Sequence, residues 1–293
     1  MPSVSLVDRA LVRVAGPDAE HFLHNIVTAD LTELPDGALK PCALLTPQGK
    51  IMFDFLIARD GIDAFLIDCR ADSADDLVRR LMLYRLRAKA EISRPDQQVV
   101  TVEWEDDSSL SDLDSGPSGT DSTRLFHDLR FAGPTVLRRY GGRAGKDARS
   151  AWDRLRIASG VAESGVDYQL SDAFPHDVLL DQNGGVGFRK GCYVGQEVVS
   201  RMQHRGTARR RVLIARSDSP LPAAGTEIVA NGRPVGTLGT VVGAEGLAIA
   251  RIDRVKEAMD SGLPILAGDA ALALSIPPQA TFTFPDAAVA GDA

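Results

Sequence analysis

Short apolar runs alternate with polar breaks along the first half of the chain, and their spacing changes in defined places. Three runs have strand character and are separated by the turn sequences PQG and RDG: PCALLT at 41–46, KIMFDFLIA at 50–58 and DAFLIDC at 63–69. Because the turns are short, these runs predict an antiparallel meander. Helical spacing of apolar residues predicts helices in GPDAEHFLHNIV at 16–27, SADDLVRRLMLYRL at 73–86 and GKDARSAWDRLRIASG at 145–160.

Polar and turn-forming residues mark the ends of these elements. Gly16 and Pro17 predict the cap and first turn of the first helix. Ser73 and Asp76 have the spacing of a capping box at the second helix. Further strands are predicted in AKAEIS at 88–93, TVEW at 101–104 and RLFHDLRF at 124–131. We expect TVEW and RLFHDLRF to pair, joined by an acidic, serine-rich mobile loop at 105–122.

The spacing of apolar residues changes near residue 208, after which short apolar runs are separated by glycine, asparagine or proline. This pattern predicts a small antiparallel barrel or sandwich at 208–285, followed by a tail at 286–293. Residues 1–207 mix strands and helices, which predicts an α+β region. The predicted fold class is therefore α+β with a C-terminal antiparallel β-barrel. Just before the change, 181–195 predicts a loop and QEVVSRMQ at 196–203 a short helix.

Composition limits the classes of protein that this sequence can encode. No apolar run approaches the roughly 20 residues that span a bilayer, and Asp8 and Arg9 interrupt any apolar core of a secretory signal. We therefore expect a cytoplasmic protein with no membrane partner. Cys42, Cys69 and Cys192 lie far apart and show neither disulfide nor metal-ligand spacing. A net charge of −7 disfavours stable binding to nucleic acid.

Basic residues concentrate in one stretch of this acidic chain. From Arg189 to Arg211 there are seven arginines and lysines and one acidic residue, Glu197, which gives a formal charge of +6. A local positive field of this kind favours a specific anionic ligand. The alternative is a solvated basic face that acidic surface balances elsewhere.

The sequence KGCYVGQE at 190–197 places a cysteine inside this basic stretch. Arg189, Lys190 and a helix expected to begin near the cysteine all favour the thiolate form of Cys192, which would make it the reactive group. Gly191 would let a ligand approach the backbone closely. The alternative is that Cys192 packs in a turn and is inert, and these residues alone do not choose between the two.

Three further residues of the sequence offer groups for a ligand. Tyr193 has an aromatic face and a hydroxyl, and Gln196 and Glu197 have hydrogen-bonding groups. No histidine shows ligand spacing, and NGGVG at 183–187 lacks the strand-to-helix context of a nucleotide-binding loop.

KGCYVGQE, followed by SRMQHRGTARRR at 200–211, closely resembles the signature of the YgfZ-type folate-binding proteins. That family includes IBA57-like iron–sulfur assembly factors and is a branch of the group that contains the glycine-cleavage T protein, an aminomethyltransferase. Weaker similarity runs from about residue 10 to residue 280. The resemblance implies that residues 1–207 form two α+β sub-units, which together with the barrel surround a central cavity that binds tetrahydrofolate. It also implies support of iron–sulfur enzyme maturation and, in bacteria, a link to tRNA methylthiolation.

The resemblance also implies roles for individual residues. T proteins carry two aspartates on one strand, and this chain keeps one, Asp54, which is expected to line the cavity or else to lie at a solvated sheet edge. Lys89 matches a basic residue of the family and faces either the site or solvent. Lys190, together with the other polar residues of KGCYVGQE, is expected at the ligand. Arg201 and Arg205 are expected to meet the anionic glutamyl tail of a reduced folate.

Departures from the T protein pattern separate this chain from the enzymes. The Tyr-Thr-Gly-Glu loop of T proteins is absent, and Ile157-Ala158-Ser159-Gly160 stands where many relatives read Leu-Glu-Ala-Gly. T proteins in turn lack the cysteine motif.

Three hypotheses for the function follow from the sequence. The first is a tetrahydrofolate-binding accessory factor whose partners are iron–sulfur assembly or client proteins. The second is a folate-dependent one-carbon transferase, and the third is a docking module with vestigial folate binding. The role of the Cys192 thiol stays open among relay of sulfur, relay of a carbon fragment and contact with a cluster.

Overall fold

The structure of the chain, a computed structural model, describes residues 1–96, 99–105, 123–142, 144–146 and 148–285. Its strands are β1 (Ser3–Ser5), β2 (Arg9–Ala15), β3 (Ala38–Leu45), β4 (Ile51–Arg59), β5 (Ala64–Arg70), β6 (Glu91–Ser93), β7 (Val100–Trp104), β8 (Arg124–Asp128), β9 (Val136–Tyr140), β10 (Arg210–Arg216), β11 (Glu227–Ala230), β12 (Arg233–Val242), β13 (Glu245–Arg251), β14 (Ile265–Ala267), β15 (Ala270–Ala271) and β16 (Ala273–Ser275). Its helices are α1 (Ala19–His24), α2 (Ala74–Arg85), α3 (Arg149–Ser159), α4 (Gln196–Arg205) and α5 (Ile252–Asp260). Short 3₁₀ turns lie at Ala71–Ser73 and Pro175–Val178.

The chain divides into two compact units, which are described separately. Unit 1 comprises Met1–Leu45, Met52–Arg149 and Asn183–Val194, and unit 2 comprises Thr46–Ile51, Ser150–Gln182 and Gly195–Ala293. This division differs from the sequence boundary at 207/208, because residues 150–182 belong with the barrel. Two sequence predictions, the mobile loop beyond residue 105 and the tail at 286–293, lie outside the described residues.

Unit 1 is built on a mixed sheet. Its nine described strands have the order β1-β7-β9-β8-β3-β4-β5-β2-β6. β3, β4 and β5 are neighbours in chain order, and β4 and β5 are antiparallel, as the meander prediction requires. β8 runs parallel to β3. One sheet face packs against α1 and α2 in a core that includes Phe22, Phe55 and Leu77.

The predicted pairing of TVEW with RLFHDLRF is wrong. These segments form β7 and β8, and both pair antiparallel with β9, which lies between them. The sequence of β9, VLRRY, carries the alternation of a strand, with Val136, Arg138 and Tyr140 buried. The charged Arg138 at an inward position concealed this pattern.

Two predicted helix caps also need correction, although α2 does begin directly after Ser73 as predicted. Asp18, not Gly16, is the N-cap residue of α1, and Gly16 precedes it with a φ of +130°. Ser73 makes no side-chain capping bond at α2; its hydroxyl donates instead to the Arg70 carbonyl at 3.2 Å. The cause is the 3₁₀ turn before α2, which turns the serine back toward β5.

A buried ion network crosses the interior of unit 1. Asp68 on β5 accepts hydrogen bonds from Arg9 Nε (2.6 Å), Arg138 NH1 (2.8 Å) and the Tyr140 hydroxyl (2.8 Å). Arg138 Nε also donates to Asp128 Oδ2 (2.9 Å). Asp68 and Arg138 are completely buried. Because β5 and β9 are not neighbours in the sheet, the network shows that the sheet curls so that these strands face each other.

Unit 2 contains the C-terminal barrel. Its described strands form an antiparallel sheet in the order β15-β14-β11-β12-β13-β10-β16. The edge strands β15 and β16 are separated in the chain by Leu272 alone, so the two edges lie together and the seven strands form a nearly closed barrel. The predicted fold class is confirmed. The sequence analysis missed α5, although Ile252, Val255 and Ala258 follow helical spacing and are buried.

A second buried ion pair fastens α3 to the barrel within unit 2. Arg156 is completely buried, and its NH1 donates to Asp167 Oδ2 at 2.9 Å. Asp167 Oδ1 accepts from the Thr240 backbone N–H at 2.6 Å, at an irregularity of β12. Gly160, at a φ of +66°, ends α3 as predicted.

Candidate functional site

The segment before the cysteine is fastened to the turn that follows α1, within unit 1. The Thr28 hydroxyl donates to the Gly185 carbonyl at 2.7 Å, and the Gly187 N–H donates to the Thr28 carbonyl at 2.8 Å. A side chain at Gly187 would place its Cβ 3.1 Å from the Asp30 backbone nitrogen. The glycine run NGGVG therefore serves close packing.

Lys190 turns inward from this segment. Its ammonium donates to the carbonyls of His24 (2.5 Å), Val27 (2.6 Å) and Ala29 (3.1 Å), just past the end of α1. An ammonium has three donors, so these carbonyls satisfy it completely. Burial lowers the pKa of Lys190 to about 8, against the opposing influence of Cys42 and Asp30. The ammonium of Lys190, which is close to Cys192 in the sequence, therefore points into the interior of unit 1.

Tyr193 is the second buried residue of KGCYVGQE. The Lys190 ammonium lies 5.0 Å from the centroid of the Tyr193 ring, in cation–π contact. Burial raises the pKa of the Tyr193 hydroxyl. Between these two residues, Gly191 and Cys192 are exposed. The motif therefore projects a two-residue tip from a pair of buried side chains.

The three cysteines divide sharply by exposure. Cys192 is exposed, whereas Cys42 and Cys69 are buried, as the strand positions of the latter two predict. Burial raises the pKa of Cys42 and raises that of Cys69 to about 12. Of the described cysteines, Cys192 alone is open to a partner from solvent.

The helix expected at the cysteine begins later. α4 starts at Gln196 after Gly195, which caps it at a φ of +81°. Cys192 lies four residues before the first helical residue, so the idea that a helix start acts directly on its thiol is wrong. The short helix itself is confirmed, with bounds of Gln196–Arg205.

The predicted ligand residues on α4 lie at its surface in unit 2. Gln196 is half-buried, and Glu197 and Arg205 are exposed. Arg201 NH2 donates to Glu197 Oε1 at 2.6 Å across one helical turn. The two partly neutralise each other, so a glutamyl tail at Arg201 would compete with Glu197. The roles of these residues stay predictions.

The candidates Asp54 and Lys89 belong to unit 1. Asp54 on β4 is half-buried, which is compatible both with lining a cavity and with lying at a solvated sheet edge. Lys89 is exposed. The backbone of Lys89 contacts the start of α1: its N–H donates to Asp18 Oδ2 at 2.7 Å. Their ligand roles also stay predictions.

Sequence reasoning missed a cleft between the start of β4 and α2. The cleft has a volume of about 500 Å³, is open to solvent, and is lined by Met52, Phe53, Asp76, Arg79, Arg80 and Leu83. Leu83 is 65% exposed. Arg79 pairs with Asp76 across the lining, and apolar walls beside Arg80 suit a ligand that has a flat ring and an anionic group. The sequence RRLML at 79–83 could have indicated this cleft, because it keeps apolar residues on the outer face of α2.

His176 and Asp177, another polar pair in the sequence, have structural roles in unit 2. His176 is completely buried, and its Nε2 lies 3.2 Å from Gln203 Oε1 of α4. Asp177 accepts from the Phe174 N–H at 3.0 Å, and burial raises the pKa of Asp177 to about 6. Arg211 NH1 donates to the His176 carbonyl at 2.8 Å. The His176–Gln203 contact joins α4 to the Pro175–Val178 turn, and the Arg211 bond joins the same turn to β10.

The described residues contain no group of three or more His, Cys, Asp or Glu side chains arranged to hold a metal ion. Nor does any described helix combine the length and the apolar character that crossing a bilayer requires.

Comparisons with known proteins match one domain near each end of the chain. Residues 4–105 match the GCVT N-terminal domain, and residues 209–282 match the CAF17 C-terminal beta-barrel domain. A crystal structure of glycine cleavage system aminomethyltransferase T from Bartonella henselae aligns with a TM-score of 0.71. The alignment covers 95% of this chain and 86% of the Bartonella henselae chain, and the two sequences are 16% identical. The fold is therefore of the aminomethyltransferase T class, with a CAF17-type barrel.

Curated relatives narrow this class to one family. The mitochondrial iron–sulfur cluster assembly factor IBA57 of Mus musculus is 31% identical over 281 residues, which cover 85% of this chain and 77% of the mouse protein. The IBA57 homologue of Chaetomium globosum is 33% identical over 241 residues, and the chain spans about half (54%) of its length. The chain belongs to the IBA57 family. This confirms the family resemblance that KGCYVGQE indicated. The cytoplasmic location stays a prediction, and both of these relatives are named mitochondrial.

Proposed function

We propose that the protein is an accessory factor for the assembly of iron–sulfur proteins, with Cys192 as its reactive group and a reduced folate as its ligand. The observation that carries the proposal is the exposed Cys192 thiol between two buried residues, Lys190 and Tyr193. The relatives named iron–sulfur cluster assembly factors support the process. Among its clients we include the enzymes of tRNA methylthiolation, as the resemblance implies.

The cluster is cargo in this proposal. A thiolate is a good ligand for the iron of a cluster, and Cys192 is exposed where an incoming cluster can reach it. Since the described residues hold no metal-binding group of three, the other ligands of the iron come from the protein that carries the cluster. Cys192 contacts the cluster transiently during delivery.

The cleft of unit 1 supports the folate part of the proposal. Met52, Phe53 and Leu83 offer apolar surface for the aromatic part of tetrahydrofolate. Arg80 offers a cation for its carboxylates, whereas Arg79 is paired with Asp76. The α4 arginines are the alternative position for the glutamyl tail.

We predict that Arg80→Ala weakens the binding of tetrahydrofolate polyglutamate about tenfold or more, since a charge-assisted hydrogen bond contributes roughly 1.5–3 kcal/mol. Arg87→Ala is the matched control, because Arg87 is an exposed arginine two residues past the end of α2 and is not a lining residue of the cleft. Isothermal titration calorimetry with mono- and polyglutamate measures both variants. If Arg201→Ala loses polyglutamate affinity and Arg80→Ala does not, the tail lies at α4.

A folate-dependent one-carbon transferase is the second candidate, favoured by the fold shared with aminomethyltransferase T. Turnover of an aminomethyl donor with tetrahydrofolate distinguishes it from an accessory factor. We expect binding of the folate without turnover.

The test of the proposed process is complementation. In cells that lack the gene for this protein, we expect lowered activity of iron–sulfur enzymes and its recovery when the wild-type chain is supplied. Unchanged enzyme activity in the deletion strain would contradict the proposal. Equilibrium binding of tetrahydrofolate to the purified protein tests the ligand separately.

A further inference from the structure

The barrel of unit 2 has a cavity beside α5 that the proposed function does not use. Residues of β11, β12, α5 and the turns next to them line it, and its volume is about 60 Å³. One buried water molecule needs about 10–15 Å³ of such space. The cavity is therefore too small for a folate and large enough for one aliphatic side chain.

The floor of the cavity is apolar. It is formed by Ala230 at the end of β11, Val235 on β12 and Ala258 on α5, and all three are buried. They belong to the hydrophobic core of the barrel. Water in the cavity finds no hydrogen-bonding side chain at this floor, so its displacement by an aliphatic group is favourable.

A tight turn fixes the first wall of the cavity. Asn231 and Gly232 join β11 to β12, and their φ values of +50° and +69° are those of a two-residue hairpin turn. Ala230 pairs with Arg233 across this turn. The turn therefore places Arg233 at the rim of the cavity, directly beside the floor.

Helix α5 supplies the second wall, with a guanidinium that is already held in place. Arg254 is half-buried, and its NH1 donates to the Pro234 carbonyl at 2.7 Å. The other donors of the guanidinium are left for a ligand. Because the group is fixed before a ligand arrives, little side-chain freedom is lost on binding.

The charge at the rim is positive. Among the ion pairs of the described residues, none includes Arg233 or Arg254, although the chain carries 40 acidic residues. Glu257, which is exposed, is the acidic residue of the lining. Two arginines against one glutamate leave a formal charge of +1 in a chain of net charge −7. Guanidinium groups in this setting favour a carboxylate.

Apolar surface continues outward from the cavity. The exposed large apolar side chains in the described part of unit 2 are Val166, Met259 and Leu263. Leu263 lines the cavity, and Met259 directly follows Ala258 of the floor. A buried floor with an apolar rim has the form of a pocket that receives an anchor residue of a partner.

We propose that this cavity is a docking site for an acidic segment of a partner protein, which inserts one aliphatic side chain between α5 and the β11–β12 turn and places a neighbouring carboxylate against Arg233 and Arg254. The aliphatic side chain covers the buried floor. The carboxylate supplies the acidic partner that the two guanidinium groups lack among the described residues. The docking site is independent of Cys192 and of the cleft in unit 1, and it holds whether or not the protein serves iron–sulfur enzymes.

Methyl NMR spectra of the whole chain test the site with a defined probe, the peptide acetyl-Asp-Leu-Asp-amide. We expect saturable shifts centred on the methyl groups of Ala230, Val235, Ala258 and Leu263. Acetyl-Asp-Ala-Asp-amide should bind about tenfold more weakly, because it buries less apolar surface. Absence of saturable shifts with the leucine peptide, or equal affinity of the two peptides, would overturn the proposal.

Substitutions at the rim test the charge. Arg233→Gln and Arg254→Gln should keep the wild-type melting temperature and each weaken binding of the leucine peptide about fivefold or more, whereas Glu257→Gln should strengthen it. Arg216→Gln is the matched control, because Arg216 is an exposed arginine of β10 that does not line the cavity. An equal loss in Arg216→Gln would show a general attraction of acidic peptides and overturn the site.

A second copy of the chain is the competing occupant of the cavity. Sedimentation equilibrium measures self-association of wild type, Arg233→Gln and Leu263→Ser. We expect the same molecular mass for all three proteins at every concentration. A wild-type dimer that both substitutions dissociate would assign the cavity to a second copy and overturn the acidic partner.

Discussion

Replacing Asp68 by alanine is expected to lower the free energy of unfolding by about 3–5 kcal/mol, the usual cost of breaking a buried ion pair. The variant leaves the guanidinium groups of Arg9 and Arg138 buried without their shared carboxylate. It also removes the acceptor of the Tyr140 hydroxyl. Urea unfolding followed by circular dichroism measures the change, and hydrogen exchange in β5 and β9 localises it to unit 1.

Asp72→Ala is the matched control. Asp72 pairs with Arg70 at the surface, and its side chain is 63% exposed. Exposed pairs of this kind contribute about 0–1 kcal/mol, so the control should unfold near the wild-type urea midpoint. Equal shifts for Asp68→Ala and Asp72→Ala would contradict the role given to the buried network.

The network also sets the response of unit 1 to acid. Burial tends to raise the pKa of Asp68 and of Asp128, but the arginines beside them outweigh it, and both values lie below the usual range. These carboxylates therefore stabilise the fold above the ordinary aspartate pKa, and their contribution is lost as pH falls through the folded values. Asp177 in unit 2 acts oppositely: its pKa of about 6 means that its contribution is lost as pH rises through 6.

The thiols of the folded protein are expected to differ in alkylation rate by about a thousandfold or more. Cys42 and Cys69 react only when the core around them opens, and such openings cost most of the stability of the fold. Cys192 needs no opening. Residue-resolved mass spectrometry after timed exposure to iodoacetamide measures all three rates.

Urea is the internal control for this prediction, because all three thiols should react at similar rates once the chain is unfolded. Reaction of Cys42 or Cys69 within tenfold of Cys192 in the native protein would show that the cores are open. Exposure would then no longer distinguish Cys192 from Cys42 and Cys69 as the reactive thiol.

The meander and the barrel were predictable from the sequence, whereas β9 and α5 were missed. The meander was found because its mostly apolar runs are separated by short turn sequences, and the barrel because glycines bound its strands. β9 was missed because Arg138 occupies an inward position, where only partners distant in sequence, Asp68 and Asp128, make a charge tolerable. No local pattern can indicate such partners.

The sequence could name candidate residues for the site but not the directions of their side chains. KGCYVGQE gave the cysteine and its neighbours, and the exposure of Cys192 agrees with a reactive role. Sequence proximity suggested that the Lys190 charge serves the thiol. The acceptors that turn it inward, the carbonyls of His24, Val27 and Ala29, lie more than 160 residues away.

The central claim is that the exposed thiol of Cys192 performs the work of this protein. The most direct measurement is the activity of iron–sulfur enzymes in the deletion strain supplied with Cys192→Ser, at protein levels matched to wild type. We predict a stable protein that binds tetrahydrofolate like wild type and leaves the enzymes at the level of the deletion strain. Full enzyme activity with Cys192→Ser would contradict the account.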